Sequence, residues 1–164
     1  MNEALEPAAL SDELLHVMRS AARLARELGE KFVSTRTLLL ALLEDPDVAV
    51  TLAPSVPREK LQAFELDDVA LHAQPLHEPE AAQAETPPMQ RYDTLAFKVP
   101  ESRECVWLGR EAHALFMGGA ERSGGDYLPK HLAYEIAAQA VRNPHMLAIL
   151  PLDPGTVTDA IYRL

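Results

Sequence analysis

Cysteine is almost missing from this sequence. With Cys105 alone in 164 residues, no internal disulfide can form and no thiolate zinc cluster can be built, which suits a reducing compartment. Aromatic residues make up only 5%, with a single tryptophan. No run approaches the roughly 18 to 20 uninterrupted apolar residues that would span a bilayer. The acidic opening MNEALEPAAL lacks the basic region of a signal peptide. Basic residues are scarce as well, 15 against 25 acidic ones, and the net charge of -10 repels phosphate backbones and anionic lipid. Nucleic acid and membranes are thereby set aside as partners, and a soluble cytoplasmic protein is expected. There is no G-x-x-x-x-G-K-[ST] loop: Gly118-Gly119 and Gly124-Gly125 lack the lysine and the strand-to-helix context of a nucleotide site.

What is present is helix-forming sequence, and it repeats. An apolar fraction of 48% in a chain of this length suits one compact domain, or two small units sharing a core. The stretch Phe32 to Pro46, FVSTRTLLLALLEDP, has a Ser34/Thr35 capping pair, a leucine run and a stop at Asp45-Pro46. Tyr127 to Pro144, YLPKHLAYEIAAQAVRNP, says nearly the same again, which makes each unit half of a pseudo-symmetric body.

Residues 1–9 read as a flexible lead. From Leu10 the apolar positions Leu14, Val17, Met18, Ala21, Leu24, Ala25 and Leu28 recur at helical steps, with Ser11 as cap, Asp12 and Glu13 favoured by the helix dipole, and Gly29 as the stop. Arg19, Arg23 and Arg26 fall on the water side. A second helix follows over about Thr35 to Glu44. A third, opened by Asp45-Pro46, carries Val48, Ala49 and Leu52, and a fourth, opened by Pro57, turns Leu61 and Phe64 inward. These complete the first repeat, residues 10–64.

Residues 65–98 form an acidic, proline-rich linker whose end, through Tyr92, Leu95 and Phe97, docks on the second unit. His72 and His77 lie in it beside glutamates, but a linker gives them no fixed ligand geometry, so no metal site is assigned. The second repeat, residues 99–164, is expected to start with a helix near Pro100 bearing Cys105, Val106, Leu108, Ala112, Leu115 and Phe116. Gly118-Gly119 and Ser123-Gly124-Gly125 loosen the turn before the Tyr127 helix. Asn143-Pro144 then answers Asp45-Pro46. Met146, Leu147 and Leu150 answer the apolar side of the third helix, and Asp153-Pro154 opens a last helix through Val157, Ala160 and Ile161.

This order of elements resembles the Clp N-terminal domain, the all-α double-repeat module at the front of unfoldases such as ClpA and ClpC, over about residues 10–164. In that family the second helix of each repeat opens with a pattern like I-G-T-E-H-L-L. Val33-Ser34-Thr35-Arg36-Thr37-Leu38-Leu39 stands in the first place, and Tyr127-Leu128-Pro129-Lys130-His131-Leu132-Ala133 in the second. The resemblance implies two pseudo-symmetric four-helix repeats. It also implies a non-catalytic module that binds a protein partner, either a Clp ATPase, one of its adaptors or a Clp substrate. Such a module serves as adaptor, decoy or regulator of unfolding and proteolysis. Without ATPase modules it works as a free-standing unit.

The departures from the pattern also matter. In ClpC-type domains the motif glutamate helps to receive phosphorylated arginine; here Arg36 and Lys130 occupy those places, so attraction for a guanidinium becomes repulsion. Ser11 keeps the hydroxyl at the start of the first helix, while Val99 or Pro100 stands there in the second repeat. At helix amino ends, Arg36 and Lys130 could instead receive an anion, with Thr35, Thr37 and His131 as walls or caps; otherwise both are plain surface cations. Catalysis finds no support. Cys105 and His113 lie two turns apart on one expected helix, Glu111 with His113 and Glu135 with His131 are ordinary helix-face pairs, and His16 and His145 lack a partner. No cofactor is expected. A small-ligand or stress sensor, or a structural subunit that self-associates into a homo-oligomer through its leucine-rich helices, is the alternative.

Overall fold

The computed structural model describes residues 10–52, 58–62 and 95–142. They are mostly helical, with one two-stranded sheet. The residues following Arg142, the linker through Thr94, the lead, Pro57 and Phe64 fall outside this set, and so do the expectations placed on them.

The first helix, α1, spans Asp12–Glu27. Ser11 accepts a hydrogen bond from the Leu14 N–H at 3.1 Å, and Asp12 and Glu13 occupy the first turn. Leu14, Val17, Met18, Ala21, Leu24 and Ala25 are buried, as their spacing requires. The helix ends where Gly29 adopts φ 75°. There Gly29 N–H donates to Arg26 O at 3.2 Å and Glu30 N–H to Ala25 O at 2.8 Å, the paired bonds of a Schellman ending. Outward, Arg23 pairs with Glu27 and Glu44, and Arg26 with Glu104. Arg19 is half-buried instead of facing water.

All eight residues of α2, Thr35–Leu42, are buried. A helix apolar on every side belongs in the interior, and the run Leu38 to Leu42 leaves no polar face. Next, α3 spans Pro46–Leu52, with the Asp45 carboxylate accepting from the Val48 N–H at 3.3 Å. A short α4, Arg58–Gln62, turns Leu61 into the core.

The sequence from Ala96 to Trp107 departs from the expected helix. Strand β1, Ala96–Lys98, pairs antiparallel with β2, Cys105–Trp107, in the register Ala96↔Trp107, Phe97↔Val106 and Lys98↔Cys105. Pro100 starts no helix because it sits in the connecting turn, where Ser102 N–H donates to Val99 O at 3.1 Å and Glu101 holds φ 63°. Cys105-Val106-Trp107 is sequence that favours a strand. Leu95 and Phe97 are buried, so the end of the expected linker does dock.

Helix α5 begins only at Arg110 and runs to Ser123. Its cap residue is Gly109, which has no side chain to bond the first turn, and neither Val99 nor Pro100 plays that part. Gly118 and Gly119 lie inside α5 instead of in a turn, and Gly124, with φ 61°, ends it. Helix α6, Pro129–Arg142, then packs along α5, as α2 packs along α1.

Two parallel bridges join residues 10–62 to residues 95–142. Leu10 bridges Tyr127, with Ser11 N–H donating to Tyr127 O at 3.1 Å. Val33 bridges Leu108, with Gly109 N–H donating to Val33 O at 2.8 Å. In each, the cap residue of one half's first long helix bonds to the residue just before the cap of the other half's second. A single hydrophobic cluster takes in both halves, from Leu14 and Leu40 to Phe116 and Ile136.

Candidate functional site at the starts of the second helices

The left-handed Gly29 turns the chain so that Glu30 points inward, where its side chain is 1% exposed. Its carboxylate accepts from Ser34 Oγ at 2.6 Å, from Arg36 Nε at 2.9 Å and from Arg36 Nη2 at 2.5 Å. The Arg36 side chain is 3% exposed, and its Nη1 reaches Leu61 O at 3.4 Å. Arg36 is therefore neither a surface cation nor an outward-facing anion receptor. Burial of so large a charge is tolerated because Glu30 neutralises it and accepts from its guanidinium. Sequence reasoning missed Glu30; the available signal was an acidic residue directly after a helix-ending glycine, six residues before a cation.

Around this pair lies a capping box. Ser34 Oγ accepts from Thr37 N–H at 3.3 Å, and Thr37 Oγ1 accepts from Ser34 N–H at 2.9 Å. Thr35 Oγ1 donates to the Glu111 carboxylate, which ties α2 to the first turn of α5. Thr35 and Thr37 are thus buried framework, and Ser11, half-buried, serves as the cap of α1.

The start of α6 follows the same plan with different chemistry. Leu128 takes the cap position, Pro129 the first helical position, and His131 the place that Thr37 holds in α2. His131 Nδ1 accepts from Leu128 N–H at 3.0 Å, as Thr37 accepts from Ser34. Desolvation, and then the charge of Lys130, push the His131 imidazole below its usual value. Lys130 is exposed. Of the six residues singled out from sequence, only Lys130 offers its charged group freely to solvent.

Elsewhere, Glu135 accepts from Arg122 Nε at 2.5 Å and from Gln139 Nε2 at 2.9 Å, while Arg122 lies 4.6 Å from the centre of the Tyr134 ring. Glu135 is therefore engaged with Arg122 and Gln139 and makes no pair with His131. Cys105, on β2, shares no helix with His113 of α5. An open groove of about 360 Å³ lies between α1, α2 and α3, lined by Asp12, Glu13, His16, Val17, Ala41, Glu44 and Asp45 among others. Among the described residues no group of three or more His, Cys, Asp or Glu side chains is placed to hold a metal ion. No helix among them is long and apolar enough to cross a membrane. No protein-family model matches the chain, and no curated protein matches it significantly.

Proposed function

We propose that this protein is a non-catalytic, cytoplasmic protein-docking module, built as two pseudo-symmetric helical repeats on the plan of the Clp N-terminal domain, and that it serves a Clp-type unfoldase as adaptor, decoy or regulator. The observation that carries this reading is the reciprocal correspondence of the halves. Ser11 bonds to Tyr127 as Gly109 bonds to Val33, and His131 closes the cap of α6 as Thr37 closes that of α2. Such matched pairs at matched positions suit a duplicated unit.

The chemistry at the motif positions narrows the ligand. An incoming guanidinium would need a free carboxylate at the start of α2, but Glu30 already holds Arg36 there, and at the start of α6 it would meet Lys130. Recognition of phosphoarginine in the manner of ClpC-type domains is thus absent from this reading. The partner instead meets the exposed ground around Lys130. The reading is tested by titrating the labelled chain with a purified Clp-type ATPase from the same cell, beside Lys130→Glu. Saturable binding weakened by the substitution is expected; no binding by either protein, or saturable binding of free phosphoarginine, would overturn it.

A further inference from the structure

We propose that His131 is a proton-sensitive latch: its neutral imidazole closes the start of α6, and protonation releases both that cap and the Ser11–Tyr127 tie to α1. The geometry requires the neutral form. Nδ1 accepts the Leu128 N–H at 3.0 Å, so the ring carries its proton on Nε2. Protonating Nδ1 removes the acceptor and sets a donor against a donor. It also places a positive charge at a helix amino end, where the dipole disfavours it.

The connection onward is short. Tyr127 precedes the capped residue, its ring lies 6.4 Å from that of His131, and its carbonyl accepts from Ser11 N–H at 3.1 Å. The Tyr127 hydroxyl donates to Phe116 O at 2.7 Å, which anchors the ring to α5. Opening the cap therefore strains the backbone at the residue that joins α1 to α6. Among the described residues on α6 and on α1, α2, α3 and α5, which pack against it, Lys130 is the charged group that acts on the ring. The equivalent closure in α2 uses Thr37, which does not titrate, so only one of the two ties responds to protons.

The test is nitrogen and proton NMR of the intact chain between pH 7.5 and 5, with His131→Thr, copying Thr37, and His131→Gln as proton-blind acceptors. His131 should titrate below 6.5, its ordinary value. Once the imidazole titrates, the protection factors of the Leu128 and Ser11 amides should fall severalfold. They should hold in His131→Thr and His131→Gln. A His131 that titrates at or above 6.5 would overturn the latch, and so would amide protection that falls equally in the proton-blind variants. The wild-type titration needs no variant, so a substitution that fails to fold leaves the proposal falsifiable.

Discussion

Glu30 and Arg36 show how one position can invert the meaning of its neighbour. A cation at the start of α2 suggests a receptor until the carboxylate six residues earlier is seen to hold it inside. Removing one member strands the other as a buried charge, so Arg36→Ala or Glu30→Ala should cost about 3–5 kcal/mol in urea unfolding. Arg36→Met combined with Glu30→Leu should cost much less than the two single losses summed. At Glu101 the sign is opposite. A left-handed glutamate is strained by about 1–2 kcal/mol, and glycine relieves that at a smaller entropic cost. Glu101→Gly should therefore raise the melting temperature by a few degrees, as follows from roughly 0.5–1 kcal/mol in a small domain. His131 sets the residue-scale pH dependence. Its folded value lies below 6.5, so the unfolded chain binds more protons through the window beneath that pH. Its stabilising contribution is complete above 6.5 and is lost on acidification through the lower folded value, and His131→Thr should flatten that part of the stability profile.

Among the elements, α5 and α6 depend on a close approach that sequence patterning misassigned. A Cβ at Gly119 would collide with the Tyr127 hydroxyl and lie 3.1 Å from Leu132 Cα, against backbone that cannot give way. One at Gly118 would collide with the Glu135 side chain from its carboxylate back to Cγ, a side chain that Arg122 and Gln139 hold in place. Gly119→Ala should thus destabilise by about 1–3 kcal/mol, overpacking outweighing the gain in helix propensity, while Gly118→Ala, which must displace only a side chain and not backbone, should destabilise less. Glycine pairs read as turn signals because sequence alone carries no neighbour to pack against. The helices α1, α2 and α3 were legible for the converse reason: Ser11, Gly29, Ser34 and Asp45-Pro46 act within one turn of their own position. The hairpin was not, since Cys105, Val106 and Leu108 fit a helical stripe as well as a strand, and pairing with Ala96–Lys98 decided between them. In the candidate site the positions of Thr35, Thr37 and His131 at helix starts were readable. The burial of Arg36 was not, because Glu30 meets it only after the Gly29 turn.

Across the whole molecule, a sparse set of aromatic rings links the parts. Phe97 of the hairpin meets Phe116 of α5 at 5.9 Å, Phe116 meets Tyr127 at 5.0 Å, and Tyr127 leads to His131. With one hydrophobic cluster spanning both halves, the described residues should unfold in a single transition, coincident by fluorescence and circular dichroism. The same shared core spans the starts of α2 and α6, as the proposed docking role requires. The most direct test of that role is competition: the purified chain, in rising excess, is added to a Clp ATPase and its protease degrading an adaptor-delivered substrate. The account predicts a saturable change in degradation rate that Lys130→Glu diminishes. A rate unchanged at every concentration would contradict it.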